Sequence, residues 1–552
     1  MRRFLFALIF SLSFCTLALA QHTNHNAKAD AKEQPASHMA GMGSLHHPVS
    51  TANTEAQKFF DQGLSFVFAF NHDEAIHSFK RAAELDPQLA MTYWGIALAL
   101  GPNINLDVDA EREKAAFNAV QKALSLAAGA SENERAYIDA LARRYSIDPK
   151  ADLKKLAVDY KNAMGDLVKR YPDDLDAATL YAESAMDLRP WKFWSADGKP
   201  AEGTEEIVAT LESVLRRDPN HIGAIHYYIH AVEASPNPER ALAYAPKLPA
   251  LVPAAGHLVH MPAHIYARTG DYEAAAVSNK DAARADEAYM KTQGAGGLYP
   301  AMYYSHNLHF LAVASATAGR FADAMTAAKQ LEAHVGPHLK EMPMLEGFMT
   351  VSPLILVQFS RWDEIEKLPQ PDASLVATTA VWHFARGMAF DAKGRTTDAG
   401  REYALLVDVE KKVPADASFG LNSAGTVLKI AEYVLGARLA RMTKRDTQPT
   451  IDQLRKAVET EDSLAYDEPP AWFIPTRQLL GGALMYSGDY AAAEEVFRAD
   501  LQRNKRNGRS LFGLTQSLKA QKKDYAAALV QRQFESAWKN ADTTLKLEDL
   551  SR

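Results

Sequence analysis

Apolar residues recur every three to four positions along most of the chain, and β-branched runs are scarce. That period predicts amphipathic helices. Glycine and proline punctuate the helical stretches at hairpin spacing from Thr51 onward. Gly270, Gly319, Gly394 and Gly488 stand where one helix of a pair should end. Tyr272, Phe321 and Tyr490 follow three of these glycines by two residues, and Ala275, Ala324, Ala399 and Ala493 follow all four by five. The pattern predicts an all-α stack of helical hairpins, and 552 residues are too many for one compact core.

With position 1 at Ala56, bulky residues Phe59, Phe66 and Phe79 fall at positions 4, 11 and 24 of a hairpin repeat. The small residues Gly63, Ala75 and Ala82 fall at positions 8, 20 and 27, and Pro87 at 32. Pro219 and Pro253 are one 34-residue period apart. On these residues the chain resembles tetratricopeptide-repeat (TPR) proteins over most of its length after residue 50. The resemblance implies a superhelix whose first helices turn positions 2, 5 and 9 toward a concave groove where ligands bind. A narrower resemblance, to large exported bacterial TPR proteins, rests on four elements. They are His226-Tyr-Tyr-Ile-His-Ala-Val-Glu233, His257 to Arg268 with its His-Met-Pro-Ala-His-Ile-Tyr core, Tyr304 to His309, and Glu468 to Arg477. It implies fold and location rather than an activity.

The ends read differently. Arg2 and Arg3, the apolar run Phe4 to Leu19 and the small residues around Ala20 predict a signal peptide cleaved before Gln21. The protein is therefore expected to be exported, to the periplasm or beyond. Residues 21–50 are polar and carry several histidines and methionines, which predicts a disordered leader. Repeats then fill 51–171, 172–340 and 341–552. No later stretch is apolar enough to span a bilayer. The only cysteine, Cys15, lies in the signal segment, so the mature chain has no disulfide. The net charge is −7 without a broad basic stripe, so nucleic acid is not an expected partner. No phosphate-binding glycine loop and no haem motif is present, which excludes nucleotide and haem as expected cofactors.

Candidate chemistry concentrates in the middle. Starting one repeat at Ile222 puts His226 and His230 at positions 5 and 9. Starting the next at Gly256 puts His257, His260 and His264 at 2, 5 and 9. Starting the third at Ser305 puts His306 and His309 at 2 and 5. Seven histidines in register on three helices point to a transition-metal site, and imidazole ligands suit zinc, copper, nickel or iron. Glu183, Asp187 and Glu233 are the nearby carboxylates, candidates for holding a histidine's second nitrogen or for acting as a base. Two other readings fit the same residues: a groove for a peptide or protein partner, with the histidines as hydrogen-bonding groups, and a metal-dependent hydrolase or oxidase. His72, His77, His334, His338 and His383 lack the register and are expected to be structural or exposed. Insertions at Trp191–Glu206 and Tyr289–Tyr303 flank the histidine block and should form loops on one face.

Overall fold

The computed structural model describes residues 36–293, 299–440 and 447–551. Among these, helices pack in sequence from Thr54–Phe68 to Glu548–Ser551, and the strands are one short hairpin, Ser418–Phe419 with Asn422–Ser423. The signal segment, residues 21–35 of the leader and the glycines of the 289–303 insertion lie outside the described residues.

The hairpins form as their residues dictate. Phe79 is fully buried and lies against both Gly63 and Gly95; a Cβ at either glycine would sit 2.6 Å from its ring. Phe497 is wedged in the same way between Gly481 and Gly513. A bulky residue of a second helix thus fills the gap left by small residues on the helices before and after it, and this contact sets the stacking of repeats. The turn glycines Gly270, Gly319, Gly394 and Gly488 all have φ between 76° and 86°, the left-handed conformation that ends a helix. At Gly488 the next residue, Asp489, caps the returning helix by accepting from the Ala492 amide.

The superhelix closes on itself. Phe68 of the first repeat packs on Gly223 of the central region. From the other end, the Tyr272 hydroxyl donates to the Lys505 carbonyl at 3.1 Å, and Asp542 accepts from the Phe321 and Ala322 amides at 2.8 and 2.9 Å. That places a carboxylate at the N-terminus of helix Phe321–Val335, where the helix dipole favours it. The first repeat and the last repeats thus both contact the central helices.

The leader expectation is also corrected over 36–50. This segment runs as an irregular strap across the first repeats and buries Met42 and His47. His47 Nδ1 lies 2.7 Å from Asp176, whose other oxygen lies 3.2 Å from His221. The low apolar content that predicted disorder is offset by these pairings, which periodicity cannot reveal. Burial would depress His47, but the Asp176 hydrogen bond and the charges of Asp176, Asp174 and Asp61 raise it above its usual value. Burial likewise opposes ionisation of Asp176, yet the hydrogen bonds from His221 and His47 hold it below the usual carboxylate range.

The signs give a window. His47 contributes stability below its unfolded value of 6.5 and loses it as pH rises through its higher folded value. Asp176 contributes above its unfolded value of 3.8 and loses it as pH falls through its lower folded value. Chymotryptic cleavage after Leu45 should therefore be slow near neutrality. It should be faster by about tenfold, or ~1.4 kcal/mol, in His47→Ala, and the wild-type rate should approach the variant's on the alkaline side. Equal rates at neutral pH would show that the pair does not hold the strap.

Candidate metal centre

Asp286 positions the histidine helices. It is buried on helix Tyr272–Gln293 and accepts from the Tyr299 hydroxyl at 3.1 Å and the Asn307 amide at 2.7 Å. The Tyr299 oxygen accepts in turn from the His257 backbone N–H at 3.2 Å. Gly256 lets this happen, because a Cβ there would sit 1.9 Å from an Asp286 oxygen. Burial pushes the Asp286 carboxyl up to about 7. One side chain thus ties together helix Gly256–His260 and helix Ser305–Thr317.

The sequence reads His257 to Arg268 as one helix. It is two, Gly256–His260 and Pro262–Thr269, meeting at Met261. Pro262 has no N–H to continue the ladder, and the break falls between His260 and His264.

Six of the seven histidines come together as two sets of three. His226, His230 and His257 form one and His260, His264 and His306 the other, each offering nitrogens within 4.8 Å of one another. Each set takes positions 5 and 9 of one repeat and position 2 of the next. Contact is therefore diagonal between repeats rather than between like positions. His226 Nε2 and His257 Nε2 are 3.0 Å apart. His260 Nε2 is 2.7 Å from His264 Nε2 and 3.2 Å from His306 Nε2. Tetrahedral ligation with metal–nitrogen bonds of about 2.0–2.1 Å puts ligand nitrogens about 3.3 Å apart.

Four of the other ring nitrogens lie against acceptor oxygens, while His257 Nδ1 is buried without a hydrogen-bond partner. His226 Nδ1 donates to the Phe68 carbonyl at 2.7 Å. His260 Nδ1 lies 2.8 Å from Asn279 Oδ1, and the Asn279 amide donates to the Ala275 carbonyl, which fixes that oxygen as the acceptor. Glu233 spans the two sets: Oε1 lies 2.7 Å from His230 Nδ1 and Oε2 lies 2.5 Å from His264 Nδ1. The Tyr466 hydroxyl donates to the same carboxylate at 3.2 Å. In the neutral form of each of these four rings, an Nδ1–H facing its oxygen leaves a lone pair on Nε2. His230 Nε2 is buried and has no hydrogen-bond partner.

Electrostatics keep most rings neutral. Burial first, and then neighbouring imidazoles, hold His226, His257, His260 and His306 well below the usual histidine value. Burial also depresses His230, against the pull of Glu233. His264 is the exception, raised by the Glu233 carboxylate in spite of burial. Burial opposes the charge on Glu233, but His264 and His230 hold it below the usual range.

Three sequence candidates go elsewhere. His309 packs its ring 5.5 Å from Phe348 and joins neither set. Position 9 of its repeat is Val313, so a third set is incomplete. Asp187 pairs with the buried Arg144 at 2.7 Å, and Glu183 adjoins the same buried group rather than the imidazoles. Two residues that periodicity missed do belong to the site. Phe70 lies 4.5 Å from His226 and stacks 5.6 Å from His257. His72, expected to be structural or exposed, stands in the wall of the cavity described next. No local signal marks either, because both arrive from the first repeat.

A cavity of about 400 Å³ opens beside both sets, with His230 and His257 of the first and His264 and His306 of the second in its wall. Glu468, from the Glu468–Arg477 element, also lines it, and burial pushes that carboxyl up to about 7. Trp472 of the same element is buried, its indole N–H donating to the Ile474 carbonyl at 2.7 Å.

No protein-family model matches the chain, and no curated protein matches it in sequence. Similar solved structures include yeast Tom70 at 11% identity, covering 87% of this chain and 90% of that one with a TM-score of 0.30. Human IFIT1, in a dimer with m7Gppp-AAAA, is 12% identical over 89% and 91% with a TM-score of 0.32. Cut9–Hcn1, a hetero-tetramer of the APC/C, gives 12% over 90% and 75% with a TM-score of 0.31. Likeness at this level carries nothing about function. By its own packing the chain is a solenoid of helical hairpins, in which Phe79 and Phe497 each fill the space between two stacked glycines.

Proposed function

We propose that this chain is an exported protein that binds two transition-metal ions, one in each three-histidine set. The observation that carries the reading is the close approach of the His260 and His264 ring nitrogens. Their Nε2 atoms are 2.7 Å apart while both Nδ1 atoms lie against acceptor oxygens. Two lone pairs at that distance repel unless a proton or a metal cation lies between them, and an unpaired buried acceptor costs about 1–3 kcal/mol. Zinc, copper, nickel and iron all accept such ligands. Glu233 would act as the shared carboxylate that orients one imidazole in each site. Export is supported by the pattern of residues 1–20. Among the described residues no helix is long and apolar enough to cross a membrane. A peptide partner in this region fits less well, since the six histidines lie inside the closed superhelix.

Native mass spectrometry of protein purified without an affinity tag is expected to show two ions per chain. His260→Ala and His230→Ala should each retain one, and His309→Ala two. A metal-free chain, with His264 protonated in place of an ion, would overturn the reading.

Glu233→Gln provides an independent check. The amide has one acceptor oxygen, so it cannot serve both Nδ1 donors. Both ions should bind more weakly, by roughly 10–100-fold as for other residues that orient a metal-binding histidine. Weakening of one site alone in metal titrations would show that the carboxylate is not shared.

A further inference from the structure

Two large aromatic residues hold unusual backbone conformations beside the first histidine set. Phe70 has φ 55° and Trp191 φ 63°, a left-handed region that bulky side chains seldom occupy. At Phe70 this conformation ends helix Thr54–Phe68, with the Asn71 N–H donating to the Phe66 carbonyl at 3.0 Å, and it turns the ring toward the histidines. Both rings flank His230: Phe70 stacks at 6.2 Å and Trp191 stands edge-on at 5.2 Å. Both also line the cavity, whose wall includes Phe348, Phe419 and Phe473. The cavity is thus aromatic along its sides and has imidazoles of both sets in its wall.

Its charge is equally specific. Three imidazoles leave a coordination position open on each ion. Glu233 is the carboxylate in contact with the rings, holding His230 and His264. Two divalent ions would place positive charge beside a space walled largely by aromatic side chains, with Arg112 and the carboxyls of Asp73, Asp467 and Glu468 also in its wall. An anionic donor is attracted to the ions there more strongly than in water. A cavity of about 400 Å³ is within the size range that takes small organic ligands.

We infer that the cavity binds a small aromatic molecule bearing an anionic oxygen donor, a phenolate, catecholate or aromatic carboxylate. Its ring lies among Phe70, Trp191, Phe348, Phe419 and Phe473, and its oxygen takes an open position on the ions. This rests on the two-ion reading above. The insertion at Trp191–Glu206 supplies part of the ring-binding wall.

The test uses the full chain loaded with metal, with ions counted by native mass spectrometry before and after each titration. The probes are 4-nitrocatechol, acetate as an anionic donor without a ring, and nitrobenzene as a ring without a donor. The expected result is a shift of the nitrocatechol absorption band on binding, with affinity at least about tenfold tighter than either comparator. Phe348→Ala should weaken nitrocatechol by about tenfold, leaving acetate and the ion count unchanged. Phe348 is half-buried and touches His309 rather than the six ligating histidines, so this variant tests the wall and not the metal sites. Nitrocatechol that binds no tighter than acetate, or equally well to Phe348→Ala, would overturn the inference with the ions still in place. Nitrocatechol that strips the ions would overturn it also. A chain without ions at the outset would overturn both readings.

Discussion

The carboxylate of Glu233, held between His230 and His264, is the contact on which the centre depends. It is buried, ionised and shared by two helices whose histidines belong to different sets. Burying a carboxylate costs several kcal/mol unless charge-assisted hydrogen bonds replace its water. Here His230, His264 and the Tyr466 hydroxyl replace it. The same bonds fix which nitrogen of each ring faces inward. Orientation of both histidine sets and solvation of one buried charge are therefore a single arrangement.

The solenoid around this contact explains how it stays dry. The resemblance to TPR proteins implies that such a stack alone would leave positions 2, 5 and 9 on a concave face. This chain curls until the first repeat supplies Phe68 and Phe70 to one side of the cluster and the 466–468 segment reaches the other. His226, His230, His257, His260 and His264 are consequently no more than 2% exposed. Desolvation then lowers the basicity of the rings, and neutral imidazoles are the form that ligates metal. Closure of the superhelix and competence of the site to take a cation follow from the same packing.

Much of this was legible in the sequence. The small and bulky positions of the repeats gave the hairpins, and the four turn glycines adopt the conformation their spacing required. Positions 2, 5 and 9 picked out the histidines that meet. What the repeat register could not give was the diagonal offset between repeats. His226 meets His257 rather than His260, so one group of seven becomes two groups of three and His309 is left over. Glu183 and Glu233 looked alike as carboxylates on neighbouring helices. Arg144, far away in sequence, takes Asp187 and with it the Glu183 neighbourhood. The strap of residues 36–50 and Phe70 were invisible for the same reason: their partners are remote, and local periodicity carries no information about them.

The central claim is that these imidazoles surround two cations, and anomalous diffraction tests it most directly. Crystals of the untagged protein, with data on both sides of the absorption edge of the bound metal, should show two peaks. One should lie among the Nε2 atoms of His226, His230 and His257, and the other among those of His260, His264 and His306. Peaks only at His47, Asp174 and Asp176, a third grouping of possible ligands, or none at the imidazoles, would contradict the account.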